Sequence, residues 1–305
     1  MKRPLSRALR GFFATALAVC ITAGAASTAA AQQPECAGKG VPTSKISIQL
    51  WTFAEYIGFG TDAATIARTE EVLRRLSEMG YRYVEPFTLS GLSAEEYRAL
   101  LEEYGLRASA RHVGIGTPED PVDIDAVLEE NRILGIRYFG SGSTPIFPEI
   151  YDTEAEWVAY AEYLDELGAA ARQAGQRLFI HNHHIEFLRT FGDQTVFDIL
   201  MANTDPRNVA VQLDLYWTTA GGFDPIDVIE QYGDRIELFH VKDADAAGNI
   251  EIVGQGTIDF PEIFAATDGP VRFYVVEHDP RFGDPTFDPF EAAQEGFDYL
   301  TCVTF

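Results

Sequence analysis

From Lys45 onward the chain alternates two hydrophobic patterns. Short runs rich in β-branched and aromatic residues lie at 46–51, 81–86, 106–112, 136–140, 177–182, 209–214, 235–241 and 271–277, and such runs read as buried strands. Between them, apolar positions recur at helical spacing over 62–79, 94–104, 123–134, 154–174, 194–203, 225–232, 261–266 and 289–300. Gly80, Gly105, Gly135 and Gly175 stand where four of these helices should stop, since a left-handed residue closes a helix. Strict strand–helix alternation predicts a parallel sheet. Eight such units predict an α/β fold, one (β/α)8 TIM barrel over residues 45–305. No glycine-rich dinucleotide fingerprint follows the first run, which argues against an open doubly wound sheet.

The first 31 residues carry a different pattern. Lys2, Arg3, Arg7 and Arg10 precede an apolar run over 11–25, and Ala29, Ala30 and Ala31 supply small residues for cleavage. This predicts a signal peptide over 1–31, followed by an extension over 32–44. The apolar run is too short for a good membrane span, so the expected location is periplasmic or secreted, with no membrane partner after cleavage. Loss of the leader removes four bases and no acid, taking the formal charge from −24 to −28. A surface this acidic excludes a phosphate-polymer partner, because nucleic acid needs a basic footprint. At 46% hydrophobic and 12% aromatic the chain has ample material for a core. Cys36 and Cys302 remain near opposite ends of the mature chain. An oxidising compartment permits a disulfide between them, while spacing alone leaves two free thiols equally open.

A barrel builds its site at the C-terminal ends of its strands. Those ends carry Glu85, His112, His181-Asn182-His183-His184, Asp214, His240 with Lys242, and Glu277, which is five of the six histidines. Strand side chains alternate, so one choice of face points His181, Asp214, His240 and Glu277 into one mouth. Any one of them has a duller reading as a cap, a salt-bridge partner or a core histidine. Together they would strand their charges without a cation. The set predicts a divalent metal, with Mn, Co, Zn or Fe(II) favoured by the mixed N/O donors over Mg or Ca.

The segments 179–187 (Phe-Ile-His-Asn-His-His-Ile-Glu-Phe), 211–217 (Val-Gln-Leu-Asp-Leu-Tyr-Trp), 238–243 (Leu-Phe-His-Val-Lys-Asp) and 275–277 (Val-Val-Glu) resemble the xylose isomerase-like TIM barrels. More narrowly they resemble the sugar phosphate isomerase/epimerase group, which includes ketose 3-epimerases, hydroxypyruvate isomerases and inosose dehydratases. The likeness runs from about Ser47 to Tyr299. It implies a metal held by the last four strands, with Asp214, His240 and Glu277 filling three places. The fourth departs from the pattern, because many relatives have a glutamate where this chain has His181. A subgroup with a His-Asn-His start and a following Glu-Phe is similar to this chain. There His181 would be a ligand, with His183 and Glu186 left for substrate or acid–base work.

The group's common step is removal of a proton beside a carbonyl. The resemblance makes Glu277 both ligand and base, with Glu186, His183 and Glu85 as further bases and Lys242 for a substrate oxygen. Glu85, His112, Trp51 and Trp217 are the expected substrate contacts, and Phe53, Phe87 and Tyr216 are further aromatics for a sugar face. Few bases are expected at the mouth, chiefly Lys242, Arg111 and Arg189, so a phosphorylated sugar is disfavoured. The leading expectation is a metal-dependent isomerase/epimerase acting on a non-phosphorylated sugar or keto-sugar through an enediolate. Two others stay open, a lyase or dehydratase on a 3-keto-sugar or inosose, and a non-catalytic sugar-binding barrel. The substrate expected in all three is a small carbohydrate, and homo-oligomerisation is left open.

Overall fold

A computed structural model describes residue 36 and residues 40–142, 151–269 and 271–305. The expected signal segment lies outside the described residues, as do 32–35 and 37–39 of the extension.

Eight barrel strands follow the predicted order: β1 (Ile46–Ile48), β2 (Tyr83–Val84), β3 (Arg107–Ala108, resuming as Ala110–His112), β4 (Tyr138–Ser141), β5 (Arg177–His181), β6 (Val209–Asp214), β7 (Ile236–Val241) and β8 (Phe273–Val276). Each is followed by its helix: α1 (Ala63–Met79), α2 (Ala94–Glu103), α3 (Ile124–Leu134), α4 (Glu154–Gln173), α5 (Val196–Ala202), α6 (Pro225–Tyr232), α7 (Phe260–Ala265) and α8 (Pro289–Cys302). Neighbouring strands pair in parallel from β3 through β8 and on to β1. The first half of β3 pairs with β2, and a parallel bridge between Gln49 and Glu85 joins β2 to β1 and closes the ring.

The strands are shorter than the hydrophobic runs that predict them. After Ile48 the chain coils into a 3-10 turn over Leu50–Phe53, not extending to Trp51. β3 breaks at Ser109, whose hydroxyl turns to Ser47 Oγ at 2.7 Å and to Val84 O at 3.2 Å. All eight helices begin after an Asp, Ser or Thr cap (Asp62, Ser93, Asp123, Thr153, Thr195, Asp224, Asp259 and Asp288) whose side chain accepts a first-turn N–H. Each such cap contributes roughly 1 kcal/mol. The four stop glycines all have positive φ.

Strand side chains divide as alternation requires. Ala110, Tyr138, Phe179, Ala210 and Leu238, with Phe273, fill the lower barrel interior as a separate cluster. The alternate positions, such as Leu178, Ile180, Val211, Leu213 and Phe239, join the larger core that includes the helices. That double burial explains the nearly continuous apolar runs. Gly140 is required inside, because a Cβ there would lie 2.5 Å from the Phe179 ring and 2.3 Å from Phe179 O. Near the chain ends, Val41 N donates to Leu300 O at 2.8 Å. Cys36 and Cys302 form a disulfide with Cα atoms 4.8 Å apart. Among the described residues, no helix is long and apolar enough to cross a membrane.

Candidate active site

Parity along β5 to β8 delivers the polar residues to the C-terminal mouth, and register sets their heights. His181 stands opposite Gln212, Asp214 opposite His240, and His240 opposite Val275. Asn182 points the other way and clamps the end of β6: its Oδ1 accepts Asp214 N at 2.9 Å and its Nδ2 donates to Asp214 O at 3.3 Å. Asp214 then begins a helical turn, with Oδ1 accepting Trp217 N at 2.8 Å. The backbone of Asp214 is therefore held by Asn182 and one carboxylate oxygen by the Trp217 amide.

His240 is the centre of a buried polar network. Its Nδ1 lies 2.9 Å from Glu277 Oε2 and its Nε2 2.9 Å from Glu85 Oε1. Glu85 also accepts from Gln49 Nε2 at 2.6 Å and Gln212 Nε2 at 2.8 Å. Gln212 Oε1 lies 2.8 Å from His112 Nε2 and 3.1 Å from His181 Nδ1. Gly142 makes room for this arrangement, since a Cβ there would stand 2.3 Å from His112 Nδ1.

Lys242 is not a rim lysine; it is 1% exposed. Its Nζ lies 2.8 Å from Glu277 Oε2, 3.3 Å from Asp214 Oδ2 and 3.0 Å from Asp279 Oδ1, with the Trp217 ring 5.3 Å away. Burial works against its charge, but Asp214, Asp279 and Glu277 outweigh burial and hold it well above the usual lysine range. Burial would raise Glu277, yet Lys242 and His240 keep it below the ordinary carboxylate range. Burial lifts Asp214 to about 6 despite Lys242, helped by the like charge of Glu277. Burial opposes the charge on His240, which Glu277 and Glu85 nonetheless raise to about 10. His181 is driven well below its ordinary value by burial and by His240. Burial and the Lys242 charge bring His183 down to about 3.

The donor set fits a divalent ion. Asp214, His240 and Glu277 present one ligand atom each within 4.8 Å of one another. Asp214 Oδ2 is buried without a hydrogen bond and faces the Lys242 ammonium at 3.3 Å, so a bound cation would share that oxygen with Lys242. His181 falls with His112 and His240 in a second group of imidazoles, so the four predicted ligands divide into two overlapping triads.

Above this network opens a cavity of about 380 Å³, walled by Trp51, Phe87, His112, His181, His183, Lys242, Glu277 and Asp279 among others. Of the candidate site residues, Trp51, His112, His181, His183, Lys242 and Glu277 thus line it. Glu85, wholly enclosed, lies beneath His240 and holds it in place. Glu186 is also wholly enclosed, with Oε2 accepting His183 N at 2.8 Å, and so fixes the loop that carries His183. Trp217 stands behind the His183 ring at 5.4 Å. Phe53 packs in the core against Phe290.

Arg111 departs from the predicted mouth. It alternates outward from Ala110 and His112 and pairs with Glu130 of α3. Arg189 meets Asp152 at 3.4 Å. Sequence reading missed Asp279, Gln49 and the hub role of Gln212. Alternation carries a signal for each, because Asp279 continues the inward face of Glu277 and Gln49 that of Ser47.

Known proteins are similar in both sequence and fold. An inosose dehydratase of Geobacillus kaustophilus is 25% identical over 232 residues, 64% of this chain and 74% of that protein. One from Geobacillus thermodenitrificans is 30% identical over 188 residues, 53% of this chain and 61% of its own length. A sugar phosphate isomerase/epimerase structure from Parabacteroides distasonis superposes with a TM-score of 0.69 at 22% identity, covering 88% of this chain and 98% of that one. At that identity it speaks to the fold. The family model described as xylose isomerase-like TIM barrel matches residues 73–300, most of the strand–helix repeat and the whole run of strand ends from Glu85 to Glu277. The chain belongs to the xylose isomerase-like TIM barrel family.

Proposed function

We propose that this chain is a divalent-metal-dependent lyase acting on a non-phosphorylated keto-sugar or inosose, removing the proton beside the carbonyl and expelling the β-oxygen. Asp214, His240 and Glu277 would hold the metal. A divalent ion there supplies Lewis-acid stabilisation of the charge that develops on the carbonyl oxygen.

The observation that carries the reading is the asymmetry of the walls. A two-base epimerase needs proton acceptors on opposite faces of the substrate. Here the glutamate expected on β5 is replaced by His181, buried and hydrogen-bonded to Gln212. That leaves His183 as the exchanging group on the β5 side. It lines the cavity and would accept the carbon-bound proton; because burial and the Lys242 charge hold it below its ordinary value, a bound metal would have to acidify that proton. The same imidazole can return that proton to the departing oxygen on the same face, which needs no second base. Lys242 remains charged beside the cavity and steadies developing negative charge on substrate oxygen. The naming of both sequence relatives as inosose dehydratases supports elimination.

The isomerase/epimerase reading stands second, supported by the name of the structural relative. Among the described residues of the wall the lysine, Lys242, already faces three carboxylates, which supports a non-phosphorylated substrate. The Cys36–Cys302 disulfide supports an exported location.

The test incubates metal-loaded protein with keto-sugars and inososes in deuterated water and follows mass and stereochemistry. The expected result is loss of the β-oxygen substituent, abolished by His183→Asn and by Asp214→Ala/Glu277→Ala, with metal content lost only in the double variant. Deuterium exchange with accumulation of an isomer or epimer, and no elimination, would establish the second reading instead. No turnover and no exchange, with retained sugar affinity, would leave a binding protein.

A further inference from the structure

The cavity does not end at its rim. Trp51 and Phe87 form part of its wall and meet edge to face at 5.2 Å. Beyond them stand Phe59 and Phe282, which are 67% and 57% exposed. Their rings lie 6.4 Å apart and inclined by 29°. Trp51 sits 5.9 Å from Phe59 and 6.3 Å from Phe282, and Phe59 is 6.4 Å from Phe87. Four aromatic rings from three loops, those after β1, β2 and β8, thus make one apolar surface that begins inside the cavity and ends in water.

Among the described residues, no packing need accounts for this exposure. Phe53 and Phe290, close by, are buried against each other, so this end of the barrel can bury phenylalanine. The loop bearing Phe282 is anchored instead of collapsed, with Gly283 N donating to Glu55 Oε1 at 2.9 Å. An exposed apolar patch continuous with a polar cavity is characteristic of a ligand surface.

We propose that Trp51, Phe59, Phe87 and Phe282 form a second subsite, which takes a ring attached to the reacting sugar through a glycosidic oxygen. The natural substrate is then a glycoside or disaccharide, not a free monosaccharide. Aromatic faces contact the C–H face of a pyranose or the face of an aryl aglycone alike, and both present the flat apolar ring this surface fits. The inference rests on the carbohydrate reading above but not on the fate of the bond.

The test compares binding of methyl β-D-glucopyranoside, phenyl β-D-glucopyranoside and cellobiose to the metal-loaded protein by calorimetry. The parent should bind phenyl glucoside or cellobiose about tenfold more tightly than the methyl glucoside, equivalent to about 1.4 kcal/mol. The phenyl arm identifies an aryl aglycone and the cellobiose arm a second sugar. Phe59→Ala/Phe282→Ala should erase that preference while leaving methyl glucoside binding and circular dichroism unchanged. Leu188→Ala, an exposed apolar side chain elsewhere (60% exposed), should leave it intact.

Equal binding of all three probes by the parent, no binding of any, or a preference that survives the double variant would overturn the subsite. So would sedimentation showing a dimer that the double variant makes monomeric, because the patch would then be a protein interface. If the aryl or disaccharide preference holds while no keto-sugar is eliminated, the lyase reading fails and the subsite stands.

Discussion

Lys242 and a bound metal should contend for the same oxygens, and Lys242→Met exposes that contest. The ammonium lies 2.8 Å from Glu277 Oε2, 3.3 Å from Asp214 Oδ2 and 3.0 Å from Asp279 Oδ1, in a site that leaves Lys242 1% exposed. At an effective dielectric of about 20, each contact is roughly 5 kcal/mol of Coulomb attraction before desolvation is subtracted. Removing one partner of a buried ion pair costs about 3–5 kcal/mol, because the remaining charge is stranded. The chelator-treated variant should therefore unfold several degrees below the chelator-treated parent. A divalent ion bound to Asp214 and Glu277 relieves that stranding directly. In the parent the ion must first draw those carboxylates away from the ammonium. The variant should bind Mn2+ or Zn2+ at least about tenfold more tightly, recovering some 1.4 kcal/mol of what the truncation costs. Titration calorimetry on chelator-treated protein reads the affinity, and thermal unfolding with and without metal reads the linkage. Unchanged or weaker metal binding by a folded variant would refute the shared-oxygen argument.

Chelator-treated protein should lose stability as pH rises from about 6.5 towards 10. In the unfolded chain His240 releases its proton near the ordinary histidine value, whereas the folded protein keeps it to about 10. His181 and His183, held low in the fold, act below that window. Denaturant unfolding at stepped pH should show the slope, and His240→Asn should flatten it. Cys36→Ser/Cys302→Ser should lower stability by about 2–4 kcal/mol, near the upper part of the usual range because the disulfide closes a separation of 266 residues. Reductant should reproduce that loss in the parent and change nothing in the variant. Glu85→Ala should destabilise by about 3–5 kcal/mol, since it strands His240 and the amides of Gln49 and Gln212. Glu85→Gln should cost less in thermal unfolding, and equal losses would show that packing, not the polar network, sets the effect.

The barrel was legible because its signals are local. Strand and helix periods, the cap residues and the stop glycines each act within a few positions, and all point to one repeat. The inward face at the mouth was legible for the same reason, since a period of two places His181, Asp214, His240 and Glu277 without knowledge of any partner. Two kinds of information were not local. The first is depth. Whether a strand-end acid meets water or a neighbouring strand depends on where the chain leaves the sheet, and for Glu85 the bridge and hydrogen bond to Gln49 enclose it. Glu85 thus reads in sequence as a mouth acid yet lies under His240. Lys242 likewise reads as a rim cation yet is enclosed by three carboxylates, one of them Asp279. The second is which loops meet. Phe59 and Phe282 are separated by most of the barrel in sequence and carry no common motif. Only closure of β8 onto β1 brings their loops together beside Trp51. The candidate metal and acid–base residues lie on strand ends, where periodicity reports them. The surface proposed to select the substrate resides on loops, where only the closed barrel does.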